Sequence, residues 1–205
     1  PKKLIPGQSQ LFDGADYNTE QWQDSPSILD KDIELMKEAG VTSASVGIFS
    51  WTSLEPEEGV YKFDWLDRIM DRFAQERMGV FLATPSGSKP IWMSEKYPEI
   101  RRVGKDGSRE SSGGRHNHCL TSPLYREKTR AINTQLAKHY KGHAALKLWH
   151  VGNEYSGECH CTDCRHAFQK WLKVRYKDIK ALNKAWWTAF WNHTFSDWDQ
   201  IPTYD

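Results

Sequence analysis

A carboxylate beside an amide, at the end of an apolar run, is the first chemically suggestive feature of this sequence: Leu146-Lys147-Leu148-Trp149-His150-Val151-Gly152-Asn153-Glu154-Tyr155. If the run is a strand, Glu154 stands at its C-terminal end, where the active sites of parallel α/β barrels collect. A carboxyl group there can act as general acid and then general base. In glycosidic cleavage it gives its proton to the leaving oxygen, and partial burial beside aromatic rings raises its pKa to suit that task. Asn153 can donate to a sugar hydroxyl through its amide. On the residues alone, an Asn-Glu pair that merely opens the next loop is the competing reading.

The cysteines form a second constellation. Cys159, Cys161 and Cys164 make a Cys-x-Cys-x-x-Cys run, and Cys119 stands alone about 40 residues earlier. Four thiols suit tetrahedral zinc, and a closed four-Cys site leaves no position for water, so it would staple loops rather than activate a nucleophile. Free core thiols, disulfides in an exported protein, and replacement of one thiol by His118, His160 or His166 are the alternatives. Arg115 precedes Cys119 by four residues in Gly113-Gly114-Arg115-His116-Asn117-His118-Cys119. Pinning of Cys119 would hold Arg115 near the strand ends, where its fork of donors could serve hydroxyls or a carboxylate; a solvated surface arginine is the ordinary alternative. Among the ten Trp residues, Trp51 is the expected site wall, because it follows the second strand; Trp65 and Trp171 fall on helical faces and are expected to pack.

Alternating elements position these groups. A strand is expected over 11–17 and a helix from Ser25-Pro26 through Leu29, Ile33 and Met36 to Gly40. A strand over 41–49 and a helix carrying Leu66, Ile69, Met70 and Phe73 repeat the unit. Residues 80–85 make a third strand, followed by an excursion with a Gly-Lys-Asp-Gly turn at 104–107 and a helix over Pro123–Tyr140. Residues 145–152 make the fourth strand, and a helix around Phe168, Trp171 and Leu172 comes after the cysteines. Strands alternating with helices imply a parallel sheet. Four units fill about 140 residues, so eight would need about 280, against about 250 for a complete (β/α)₈ barrel. The expectation is the first half of a TIM barrel, or else a complete four-strand α/β domain. No Gly-x-Gly-x-x-Gly or Gly-x-x-x-x-Gly-Lys run comes after any strand, which removes the main argument for a nucleotide-binding open sheet.

Composition narrows the partners. The net charge is +1, from 28 Lys and Arg against 27 Asp and Glu, which offers no bulk attraction for nucleic acid. No apolar stretch approaches the roughly 20 residues of a membrane-spanning helix, and no signal-peptide pattern is present, so no membrane association and a cytoplasmic location are expected.

In order along the chain, these segments resemble the N-terminal part of the catalytic domain of glycoside hydrolase family 42 β-galactosidases. The resemblance rests on Tyr17-Asn18-Thr19-Glu20-Gln21-Trp22, on Trp51-Thr52-Ser53-Leu54-Glu55-Pro56-Glu57-Glu58-Gly59-Val60-Tyr61, on Ala83-Thr84-Pro85, and on Trp149-His150-Val151-Gly152-Asn153-Glu154-Tyr155. The four cysteines, Leu182-Asn183-Lys184-Ala185-Trp186 and Phe190-Trp191 extend it over about 190 residues. It implies residues 1–205 as the N-terminal portion of a TIM-barrel domain of a retaining β-galactosidase. Glu154 then matches the acid/base, Asn153 and Arg115 match sugar contacts, and Cys119, Cys159, Cys161 and Cys164 match a structural Zn2+ site. The implied partners are a β-galactoside substrate and further copies of the chain, a trimer in the intact parent. The nucleophile implied by the family is a Glu in the second half of the barrel; Glu20, Glu55 and Glu57 do not match its motif. The isolated chain is therefore expected to be inactive and to leave its outer strands unpaired. Trp187 stands where the family pattern has Gly. A zinc-stapled, Trp-rich module that binds carbohydrate or protein without catalysis is the alternative.

Overall fold

The structure, a computed structural model, describes residues 11–203. The chain falls into two compact units: Pro1–Tyr97 with Lys128–Ser156, and Pro98–Glu127 with Gly157–Asp205.

The first unit is built on a parallel sheet. Strand β1 (Gly14–Tyr17) leads through a 3-10 turn (Thr19–Trp22) to helix α1 (Pro26–Glu38), then to β2 (Ser43–Val46), the short helix α2 (Trp51–Leu54), helix α3 (Asp64–Gln75), β3 (Gly79–Ala83) and helix α4 (Ile91–Lys96). Helix α5 (Pro123–Tyr140) leads to β4 (Leu146–His150). Every pairing is parallel and the order is β1-β2-β3-β4. Doubly wound open sheets reverse their strand order to make a binding crevice. These four strands succeed one another without reversal, as the staves of a barrel wall do, so the barrel expectation gains over the open sheet.

Parallel strands covered by helices read as small or β-branched runs, and β2 and β3 behave so. Ala44, Val46, Val80, Leu82 and Ala83 are buried. Also buried are Leu66, Ile69, Met70 and Phe73 of α3, and Ile132, Leu136 and Tyr140 of α5. These residues recur at the three- and four-residue spacing of one helical face. Truncating a side chain such as Phe73 would cost about 3 to 5 kcal/mol, transfer and cavity together. At the outer strand β4, by contrast, Leu148 and Trp149 are over a third exposed.

Two struts hold the loop after β2. The buried Glu55 carboxylate accepts from Trp51 Nε1 at 2.7 Å and from the Gly59 amide at 2.8 Å. The Glu55 carbonyl accepts from Trp92 Nε1 at 2.9 Å. Glu58 accepts from the Tyr97 hydroxyl at 2.9 Å and pairs with Lys128 at 2.7 Å and with Lys96. Lys128 and Lys96 hold its carboxyl down to about 2. Trp51 is thus fully buried, which corrects its expected place as a site wall. Its indole sits one helical turn from Glu55 and is consumed by that carboxylate.

The second unit packs helix α6 (Thr162–Tyr176) against α7 (Ile179–Trp186) around Leu172, Leu182 and Ile201. Asp178 caps α7 by accepting from the Ala181 amide at 2.8 Å. Trp65 packs as expected, but Trp171 is half exposed, stacked on Phe168 at 6.0 Å with the Arg175 guanidinium over its ring. The turn over 104–107 forms, closed by Gly104 N–H donating to the Ser108 carbonyl at 2.8 Å. Among the described residues no helix is long and apolar enough to cross a membrane.

Candidate active site and cysteine cluster

The chain leaves β4 at His150, whose carbonyl still accepts from the Thr84 amide at 2.9 Å. The Gly152 amide then donates to Thr84 Oγ1 at 2.7 Å, so the segment after β4 is tied to the end of β3. Gly152 has φ +67°, and a side chain there would run into the Tyr155 ring, so glycine is required twice over. Tyr155 and Ser86 join their hydroxyls, a second tie between the two strand ends.

These ties present Asn153 and Glu154 at the C-terminal edge of the sheet. Glu154 has φ +49°, a left-handed conformation that side-chain-bearing residues adopt at a cost of about 1 to 3 kcal/mol and that clusters at functional sites. Asn153 Nδ2 donates to Glu154 Oε2 at 3.2 Å, so the expected pair is brought together. Glu154 is exposed. Partial burial, expected to suit a proton donor, is not provided by these residues. The arrangement is a carboxylate held by a rigid backbone turn, with an amide donor at its side.

Arg115 belongs to the second unit and is exposed on the loop that runs into Cys119. That loop is well fixed. The buried Asn117 donates to the Ser111 carbonyl at 2.5 Å and to the Gly113 carbonyl, while its own carbonyl accepts from the Arg102 amide at 2.8 Å. Arg102 Nε donates to the His118 carbonyl at 3.0 Å and the Cys119 amide to the Ile100 carbonyl at 2.7 Å.

The four cysteines meet. All four Sγ atoms lie within 4.8 Å of one another, with Cys119 at 3.6 Å from Cys161 and 3.4 Å from Cys164. All four are free thiols, not joined as disulfides, whose sulfurs sit about 2.05 Å apart. Four sulfurs placed tetrahedrally at about 2.3 Å from a metal would stand about 3.8 Å from one another, and the cluster lies in that range. Burial pushes the Cys164 thiol up to about 11 and raises Cys119 as well, while hydrogen bonds lower Cys159 against its own burial, so holding the first two as thiolates would need a cation beside them. The cluster could therefore hold a metal ion. His160 stands aside from the sulfurs: its Nδ1 meets Thr203 Oγ1 at 3.0 Å and its Nε2 approaches Glu158 at 3.6 Å.

One carboxylate has more character than its sequence suggests, where it reads only as a loop residue. Glu20, in the turn after β1, is largely desolvated, which raises its pKa, and its Oε2 is buried without a hydrogen bond among the described residues. Its position directly after a strand is the available signal.

The glycoside hydrolase family 42 pattern, described as β-galactosidase, matches residues 16–203. The chain belongs to that family. It is 57% identical over 194 residues to β-galactosidase GalA of Bacillus licheniformis, covering 94% of this chain and 29% of that protein. It is 54% identical over 200 residues to β-galactosidase BglY of Alicyclobacillus acidocaldarius, covering 98% of this chain and 29% of the relative. The crystal structure of a β-galactosidase from a Rahnella species superposes with a TM-score of 0.94 at 55% identity, covering 97% of this chain and 29% of that one. The chain thus spans about 29% of the length of the curated family 42 relatives it matches. Membership places the four-strand parallel sheet within the family's barrel architecture.

Proposed function

We propose that the whole protein is a retaining β-galactosidase, that residues 1–205 form the N-terminal portion of its (β/α)₈ barrel, and that Glu154 is its acid/base. The observation that carries this reading is the Asn153-Glu154 pair, held on a left-handed turn at the C-terminal end of β4 in a family 42 chain. In the first step the Glu154 carboxyl gives its proton to the glycosidic oxygen as the bond to the anomeric carbon breaks. A second carboxylate, about 5 to 5.5 Å away and supplied from outside these residues, bonds to that carbon. In the second step Glu154, now a carboxylate, takes a proton from water, whose oxygen displaces the enzyme carboxylate and restores both groups. Burial of Glu154, needed to keep it protonated at the start, would come from the rest of the barrel.

Asn153 and Arg115 are proposed to hold sugar hydroxyls, each by donated hydrogen bonds. Cys119, Cys159, Cys161 and Cys164 are proposed to hold structural Zn2+, which would fix the Arg115 loop to the start of α6 and take no part in the chemistry. A homo-oligomer, trimeric as the family resemblance implies, and a cytoplasmic location complete the proposal. A binding module without catalysis is not favoured by relatives described as β-galactosidases. The test is Glu154→Ala in the whole protein. Loss of aryl β-galactoside hydrolysis with the fold retained supports the reading, and unchanged turnover overturns it.

A further inference from the structure

The Asn153-Glu154 turn holds a conformation that is costly for the chain by itself. Gly152 and Glu154 both have positive φ, +67° and +49°. For a residue with a side chain, such strain persists only where the surrounding structure over-determines it. Strand β4 ends at His150, before the turn begins. What fixes Glu154 must therefore come from another part of the chain.

The segment that leaves β3 does this, first with Thr84 and then with the 3-10 turn Pro85–Gly87. It meets the chain on both sides of Glu154. Thr84 Oγ1 accepts from the Gly152 amide at 2.7 Å, across 68 positions of sequence. Gly87 lies against Asn153, so close that a methyl group added to it would stand 3.0 Å from Asn153 Cβ. Beyond Glu154, the Ser86 and Tyr155 hydroxyls are joined. Thr84, Ser86 and Gly87 are buried. Thr84 is also β-branched, which makes χ1 stiff and fixes the direction of Oγ1. The bond it accepts is buried, so removing the oxygen would leave the Gly152 N–H unmet and drive the turn to shift.

We propose that Thr84, Ser86 and Gly87 are positioning residues for Glu154: the end of β3, rather than β4 itself, aims the proton donor at the glycosidic oxygen. This rests on the acid/base reading of Glu154 above. The three residues act through the turn and not on the substrate. Proton transfer depends on the distance and angle between the carboxyl and the departing oxygen. Loosening this seat therefore penalises substrates whose leaving group needs the proton and spares those whose leaving group departs as a stable anion.

The test measures kcat/KM of the whole protein for phenyl and dinitrophenyl β-galactosides. Thr84→Val keeps the shape and removes the acceptor, whereas Thr84→Ser keeps the acceptor. The expected result for Thr84→Val is a fall of about 100-fold with the phenyl substrate and a rate within about threefold of the parent with the dinitrophenyl substrate. Thr84→Ser recovers most of the loss. Adding Thr84→Val to Glu154→Ala costs nothing further, because Thr84 acts only through that carboxyl. Tyr155→Phe alters a half-exposed ring, leaves the core intact and gives the same selective pattern at smaller size, which decides the matter if Thr84→Val does not fold. Equal losses for the two substrates, no loss, or a further fall in the double variant overturns the proposal while Glu154→Ala still shows its own selective loss. If Glu154→Ala itself spares the phenyl substrate, the acid/base reading falls and the positioning role falls with it.

Discussion

Helix α7 ends on a residue in the wrong conformation for its side chain. Trp187 occupies the left-handed cap position, with φ 56° and ψ 41°, and its amide donates to the Asn183 carbonyl. Asn183 also anchors the chain beyond the cap: its Oδ1 accepts from Thr188 Oγ1 at 2.7 Å and from the Phe195 amide at 3.0 Å, and its Nδ2 donates to the Phe195 carbonyl at 2.7 Å. The cap is thus fixed by its neighbours, and Trp187 must accept the left-handed geometry. That geometry costs a side-chain-bearing residue about 1 to 2 kcal/mol, whereas Gly adopts it freely. Gly brings back about 0.5 to 1 kcal/mol of unfolded-chain entropy. The ring is 70% exposed, so little burial is lost. The balance for Trp187→Gly is a stabilisation of about 0.5 to 1 kcal/mol, which slows amide exchange across α7 by roughly two- to fivefold. Trp187→Ala is the control, since it removes the ring but keeps the Cβ. If Ala slows exchange as much as Gly, or Gly speeds it, backbone strain is not what the cap carries.

Three further outcomes are expected. Cys119→Ser should lower zinc content by elemental analysis from about one equivalent per chain to background, because one of four ligands of a closed site is gone; retained zinc would exclude Cys119 as a ligand. Gly152→Ala should lower turnover of the whole protein about 100-fold, since a methyl group against the Tyr155 ring displaces the Asn153-Glu154 turn, and wild-type kinetics would show that the turn tolerates movement. Glu20 has a pKa raised by burial, so the folded state favours its neutral form. Its contribution is complete below the ordinary carboxylate range and is lost as pH rises through the raised value, so Glu20→Gln should match the parent in acid and exceed it at pH 7 in denaturant titrations of this chain. A variant less stable than the parent at neutral pH would contradict that sign.

The sequence announced α5 over its full length, because Pro123 starts it and Tyr125, Ile132, Leu136 and Tyr140 mark one face. Strand limits were less legible: 11–17 and 41–49 shrink to Gly14–Tyr17 and Ser43–Val46, since β pairing with a neighbour, not local apolarity, decides where a strand stops. Helix α4, within the excursion after β3, carried no strong periodic pattern over its six residues. The meeting of Cys119 with the later triplet was readable from strand adjacency, and the sulfur separations agree with it. Trp51 misled because a loop position after a strand suggests a site, whereas its indole is taken by Glu55 one turn along. The position of Glu154 could be read from strand, glycine and amide in sequence. Its exposure could not, because burial depends on chain that packs around the strand end.

The claim that Glu154 donates the proton to the leaving group is tested most directly by leaving-group dependence in the whole protein carrying Glu154→Ala. An acid catalyst matters most when the departing oxygen is basic and least when it is already a stable anion. The account predicts that hydrolysis of unactivated phenyl or alkyl β-galactosides collapses, while cleavage of a dinitrophenyl β-galactoside keeps a first step close to the parent rate. Equal losses for activated and unactivated substrates, or no loss for either, would contradict it.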